Sequence, residues 1–337
     1  MKTVLVHCWE AGAAAALAPV IRLAIRRGHR VVSTSLDPGA SLLSRRFDAI
    51  GQIAMPDIRS GAADIALVGL GHPRNSAGTA TWSRIADLLP SVGVLDHWKG
   101  LERFFPERGG GAPLALPELL CVPDDVCAQA LAGLGMPGGR LRVTGHPRLD
   151  CDLDPGAAAI RTEARRRLGF PEGQPVHVLA SETVHDHGFF DACGSGCHPL
   201  ERHPCGNREL LDRLIADASD GGALLVARPH PQQRVPAYGT LRVISWAEAD
   251  DEMLIAAADR VYGLSSLFLA LAQKRGVEVV NIAPWLDAWR PEQAFLSVDL
   301  WNYLTTEGDF SSGGGGHPPG SRDAVTAILG ELEGMLS

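Results

Sequence analysis

Lysine is nearly absent from this 337-residue chain: it occurs only at Lys2, Lys99 and Lys274, so arginine carries almost all of the positive charge. Basic residues are also the minority, 31 against 39 acidic, which leaves a net charge of −8 with histidine neutral. A protein whose main partner is bulk nucleic acid needs a basic surface for the phosphates, and this balance argues against that class. A small basic pocket remains compatible with it. No run of 18 uninterrupted apolar residues occurs, so no membrane-spanning helix is expected, which leaves only peripheral membrane contact open. The apolar start TVLVHCW meets Glu10 too soon for an export signal. The seven cysteines, an odd number, are therefore expected as reduced thiols in a cytoplasmic protein.

What is present is an alternation of short apolar, β-branched runs with longer helical ones. Thr3–Cys8, Arg30–Ser35, Ile65–Leu70, Val92–Asp96, Leu119–Pro123 and Leu141–Thr144 read as strands. A helix rich in Ala, Leu and Ile is predicted over Ala11–Arg27 and ends at Gly28. The rhythm pauses near Asp150–Gly156 and the Arg-rich helix Ala157–Leu168, then resumes. Val176–Ser181, Ala223–Arg228, Arg242–Ser245, Asp259–Gly263 and Val277–Ile282 are the second series of strands, with helices at Glu209–Asp217, Asp250–Ala258 and Ser265–Gly276. Continuous apolar strands separated by helices imply parallel sheets covered on both faces. The expected fold class is therefore α/β, with two doubly wound Rossmann-like domains facing across a cleft. The expected boundaries are residues 1–152, 153–320 and a closing C-terminal helix in 321–337, after the glycine-rich loop Ser311–Gly320. In such sheets ligands sit beyond the carboxyl ends of the strands, so the chemistry should lie in the loops that follow them.

Two of those loops carry a pattern. The strand ending at Gly263 runs into Ser265 and Ser266 at a helix start, where free backbone N–H groups and two hydroxyls suit a phosphate. A serine there is also an ordinary helix cap. The strand ending at Arg228 runs into Pro229-His230-Pro231, where two prolines hold His230 at a strand end, free to meet a phosphate oxygen or simply the loop backbone.

Taken together, Arg228-Pro229-His230-Pro231 and Gly263-Leu264-Ser265-Ser266 resemble the second half of GT-B-fold glycosyltransferases. The likeness is strongest to bacterial surface-polysaccharide enzymes with cytidine-activated donors: sialyl- and Kdo-transferases and glycerophosphotransferases. Arg142-Val-Thr-Gly-His-Pro-Arg-Leu-Asp150 is similar to the stretch that ends the first domain in those enzymes and in non-hydrolysing UDP-N-acetylglucosamine 2-epimerases. The resemblance implies a GT-B layout with an acceptor domain first and a donor domain second. It also implies that His230, Ser265 and Ser266 hold the donor phosphate, with Arg228 adding positive charge and Glu182 lining the site. The chain departs from the epimerases in having no carboxylate in the first turn after Ser266, where theirs binds ribose.

For the acceptor, three residues after first-domain strands offer a base: Glu10, which equally suits a solvated first helical turn, and the adjacent Asp96 and His97. Adjacent side chains meet only where the fold turns both inward. His72, Arg74 and Asn75 follow another strand. Glu182, His185, Asp186 and His187 open a loop in which Cys193, Cys197, His203 and Cys205 have the composition of a structural zinc site, but no Cys-x-x-Cys knuckle. Free thiols in an ordered loop fit equally. The leading expectation is an enzyme needing no cofactor and no catalytic metal, which moves a sugar or an alcohol phosphate from a nucleotide-activated donor to a glycan or small-molecule acceptor. A sugar-nucleotide epimerase or hydrolase and a non-catalytic zinc-binding partner protein are the alternatives.

Overall fold

The computed structural model describes residues 1–48, 50–70, 76–98, 101–105, 115–149, 157–180, 207–229, 241–263, 266–282 and 323–336. The chain divides into two compact units, Met1–Asp152 together with Gly316–Ser337, and Leu153–Gly315.

The first unit is built on β1 (Thr3–His7), β2 (Arg30–Ser33), β3 (Gly51–Gln52), β4 (Ile65–Leu70), β5 (Ser91–Leu95), β6 (Leu119–Val122) and β7 (Leu141–Val143). They form one sheet in the order β3-β2-β1-β4-β5-β6-β7, and every pairing is parallel. All residues of β4 and β5 are buried, as strands covered on both faces require. Its helices include α1 (Ala11–Arg26), α2 (Gly39–Arg46), α3 (Met55–Arg59), α4 (Ser76–Ala86) and α5 (Asp125–Gly133). In α1, Ala13 to Ala16 and Ala18 are buried, and a β-carbon on Gly69 of β4 would stand 2.9 Å from the Ala13 methyl. Small residues on both partners thus let this helix lie close against the sheet.

The second unit repeats the plan with β8 (Val176–Ala180), β9 (Leu224–Arg228), β10 (Arg242–Val243), β11 (Arg260–Gly263) and β12 (Glu278–Asn281). Their order is β10-β9-β8-β11-β12, again parallel throughout. Around them lie α6 (Ala157–Leu168), α7 (Asn207–Asp220), α8 (Asp251–Ala257) and α9 (Leu267–Lys274). Asp259 ties α6 to the sheet: it accepts from Arg161 Nη2 and Arg165 Nη2, each at 2.5 Å, and from the Val176 N–H at 2.7 Å. The last helix, α10 (Ala324–Gly334), belongs to the first unit. Asp323 caps it, Val325, Ile328, Leu329 and Leu332 are buried, and Glu333 accepts from Arg27 at 2.6 Å.

Apart from β3, a two-residue exposed strand that no apolar run announces, the strands stand where the apolar runs predict them, mostly trimmed by a residue or two at the ends. α2 to α5 are not announced by that rhythm, because they are short and, as in SAGTATWSRIA, interrupted by Gly, Ser and Thr, which are weak helix formers. Both sheets reverse direction of growth, between β1 and β4 in the first unit and between β8 and β11 in the second. The carboxyl ends of strands at such a reversal are where doubly wound sheets receive ligands. Among the described residues no helix is long and apolar enough to cross a membrane.

Candidate functional site

Each unit carries polar residues at the carboxyl ends of its strands. In the first, β5 ends at Leu95, and Asp96 and His97 follow as the chain leaves the sheet. His97 Nδ1 lies 2.8 Å from Asp96 Oδ1, with the two side chains 16% and 14% exposed, shielded yet within reach of a small group. A carboxylate oxygen only accepts, so Nδ1 carries a proton, and in the neutral ring Nε2 keeps its lone pair. That is the state in which an imidazole takes a proton from a hydroxyl, with the carboxylate orienting the ring and stabilising the imidazolium.

The second carboxylate oxygen, Asp96 Oδ2, rests against the first turn of α1. A β-carbon on Gly12 would come within 2.8 Å of it, so glycine is what leaves room for the acid there. Glu10 occupies the N-cap position of the same helix with extended backbone. In many Rossmann-like domains this helix start receives a phosphate. Here the Asp96 carboxylate already lies beside it, and its negative charge disfavours an anion at that helix start.

Sequence reasoning missed the support beneath this pair. His146 follows β7 in the turn Thr144-Gly145-His146, where Gly145 takes φ 91°, and its side chain is buried. The Arg148 N–H donates to His146 Nδ1 at 3.2 Å, which leaves the ring proton on Nε2, 3.3 Å from the Asp96 main-chain oxygen. Burial pushes the imidazole down to about 4, so the ring is neutral. Trp98 stacks on it with centroids 5.5 Å apart and planes 15° from parallel. The Trp98 indole donates to Asp124 Oδ2 at 2.6 Å, while Asp124 Oδ1 caps α5 by accepting from the Cys127 N–H at 2.8 Å.

Two other groups at these strand ends are structural. His7 is buried, with Nε2 3.2 Å from the Gly78 carbonyl oxygen and Nδ1 3.1 Å from the Thr34 hydroxyl. A neutral ring satisfies both, and burial pushes its pKa down. Cys8 is enclosed beside Ser35, and burial raises its thiol to about 12, which leaves it inert as a nucleophile.

In the second unit, Arg228 ends β9 but does not present its charge at the strand end. Its side chain is 3% exposed, and the guanidinium donates to the carbonyl oxygens of Ser245 at 3.0 Å and Ala249 at 2.7 Å, and to Asp251 Oδ1 at 3.2 Å. Trp246 covers it at 4.0 Å. Its observed contacts pin the segment after β10 and the start of α8. Ser266 stands at the N-cap position of α9 with extended backbone, and its carbonyl oxygen accepts from the Leu269 N–H at 3.1 Å. A β-carbon on Gly263 would lie 2.4 Å from Leu269 Cδ1 and 3.3 Å from the Ala180 carbonyl oxygen, so glycine lets Leu269 pack close against the end of β11. His230, Pro231, Ser265, Glu182, His185, Asp186, His187, His72, Arg74 and Asn75 lie outside the described residues, as do Cys193, Cys197, His203 and Cys205.

Two Rossmann-like α/β domains in one chain, each with its reversal point, define a fold of the GT-B type. The solved structures it is similar to share that architecture. They include UDP-N-acetylglucosamine 2-epimerase from Rickettsia bellii, 16% identical with a TM-score of 0.59 over 100% of this chain and 97% of that one. The wall teichoic acid polymerase TagF is 10% identical with a TM-score of 0.58, over 99% and 90%. Anabaena HepE in complex with UDP and glucose is 12% identical with a TM-score of 0.53, over 100% and 99%. At these identities the likeness is one of fold. No protein-family profile matches the sequence. Among curated proteins, the tetraacyldisaccharide 4'-kinase of Dinoroseobacter shibae is 34% identical over 121 residues. That match spans only 34% of this chain and 34% of the kinase.

Proposed function

We propose that the protein is a nucleotide-dependent transferase, which moves a sugar or an alcohol phosphate from an activated donor to a hydroxyl of a glycan or small-molecule acceptor. The observation that carries this reading is the Asp96–His97 pair at the end of β5, a base with its orienting acid on a GT-B-type scaffold. His97 Nε2 takes the proton of the acceptor hydroxyl as its oxygen bonds to the donor's anomeric carbon or phosphorus. The bond to the nucleotide breaks, and its electron pair leaves on the phosphate. Asp96 balances the imidazolium, and Glu10, at the helix start beside it, orients the acceptor. His230, Ser265 and Ser266 hold the donor phosphate and Glu182 lines that end, while Arg228 shapes the segment behind it. The chemistry calls for no metal and no other cofactor. The free, buried thiols of Cys8, Cys121 and Cys127 support a reducing, cytoplasmic setting.

The UDP held by HepE and the resemblance to cytidine-dependent enzymes make thermal unfolding against CMP, CDP, UMP, UDP and GDP the direct test. A ligand at a hundred times its dissociation constant stabilises by about 2.7 kcal/mol, a readily seen rise in midpoint. One nucleotide is expected to give that rise, and His230→Ala and Ser266→Ala to abolish it. No shift with any nucleotide would overturn the reading. With the donor in hand, turnover that requires an acceptor and fails in His97→Gln marks a transferase, whereas turnover of donor alone marks an epimerase or hydrolase.

A further inference from the structure

The Asp96 carbonyl and the His97 N–H belong to one peptide group, so the tilt of that peptide sets the bearing of both side chains. Successive residues of an extended chain point to opposite sides, and a 2.8 Å contact between neighbours requires the peptide to be held in a particular turn. One buried side chain reaches it. His146 Nε2 lies 3.3 Å from the Asp96 oxygen, from a loop fifty residues further along the chain.

We propose that His146 is the positioning residue of the Asp96–His97 pair: it grips the peptide that joins acid and base, and Trp98 clamps its ring in place. The inference rests on the reading of His97 as the base. Histidine suits the post in three ways at once. It offers a donor toward the Asp96 carbonyl, an acceptor for the Arg148 N–H, and a flat face for the Trp98 indole. The grip requires the neutral ring, because a second ring proton would confront the Arg148 N–H. Burial of the whole ring keeps it neutral. Trp98 is fixed in turn by Asp124 at the cap of α5, and the Cys127 thiol at that helix start lies 4.0 Å from the His97 carbonyl oxygen. Three neighbours in the sheet order, β5, β6 with its following helix α5, and β7, thus converge on residues 96–98. Packed against His97 are Asp96 on its own segment, the Phe104 ring with its centroid 5.9 Å away and the Cys127 thiol at its carbonyl oxygen, with the buried His146 ring across the Asp96 peptide.

The test is NMR of full-length protein labelled with nitrogen-15 at histidine, with His97→Gln identifying the His97 signals. In the wild type the Asp96 carboxylate should hold His97 with its proton on Nδ1, read from the shifts of the two ring nitrogens. In His146→Phe, which keeps the stack and loses both hydrogen bonds, the carboxylate no longer sits squarely on Nδ1, and the His97 ring nitrogens are expected to shift toward a mixture of tautomers. Transfer should fall at least tenfold in kcat with the donor KM unchanged. Unchanged His97 ring-nitrogen shifts in folded His146→Phe overturn the proposal. Should that variant not fold, Trp98→Leu must move the His97 tautomer balance in the same direction, and an unchanged balance there overturns it as well. If the wild type transfers nothing, the functional reading fails by itself, since the tautomer reports positioning without any turnover.

Discussion

Gly12 and Asp96 set up a substitution whose effects on stability and on activity run in opposite directions. Alanine at Gly12 removes backbone freedom from the unfolded chain in a helical first turn, which favours folding by up to about 1 kcal/mol. Its β-carbon would also stand 2.8 Å from Asp96 Oδ2, so the carboxylate must move. Gly12→Ala is expected to melt at or slightly above the wild-type temperature while losing at least tenfold in transfer; an unchanged rate would show that Asp96 does not need its place. His146 yields a pH dependence of stability. Its pKa is about 4 in the folded protein against an ordinary 6.5, so between those values the unfolded chain binds the extra proton. Stability therefore declines as pH falls from 6.5 toward 4, by about 3 kcal/mol at roughly 1.4 kcal/mol per unit, and is recovered above 6.5. Urea unfolding followed by tryptophan fluorescence should show this loss in the wild type and a flatter profile in His146→Gln. At this scale the sequence was legible in part. Asp96 and His97 were candidates because they follow a strand, but their contact depends on the turn of one peptide. That turn is held by a residue fifty positions away, brought there by the order of the strands.

Arg228 shows where a positional argument stops. A cation at a strand's carboxyl end is a fair phosphate ligand, yet the neighbouring segment supplies carbonyl oxygens and a carboxylate that take it first. The charge is buried with its counter-ion, so removing the carboxylate leaves a buried cation with less to balance it. Asp251→Ala is expected to cost about 3–5 kcal/mol, read as a large drop in the unfolding midpoint, because the buried guanidinium loses the carboxylate that pairs with it at 3.2 Å. Neighbouring Asp250, whose carboxylate caps α8, should cost about 1 kcal/mol when changed to alanine. Equal losses at the two positions would mean that the ion pair adds nothing beyond an ordinary cap. The strands themselves were the most readable elements, since continuous apolar runs such as IALVGL have no other home than a doubly covered sheet. Short helices were the least readable, because tertiary packing rather than periodicity makes them.

Across the molecule, the parallel alternation of strands and helices was enough to read the fold class from sequence. The strand orders were not, since local patterning says nothing of which strand lies beside which. The chain also leaves the first unit at Asp152 and re-enters it at Gly316 to add α10, which packs on α1 and β5. A fragment of residues 1–152 should therefore show a lowered midpoint and exposed apolar surface, and a peptide covering residues 316–337 should restore it. A fragment as stable alone as with the peptide would make α10 dispensable. The same threading has a consequence for synthesis on the ribosome. At roughly 5–20 residues per second, the final helix emerges some ten to thirty-five seconds after the last strand of its own sheet. Throughout that interval the nascent first unit presents a bare apolar flank along α1 and β5, a surface on which a chaperone can settle until its missing layer is translated.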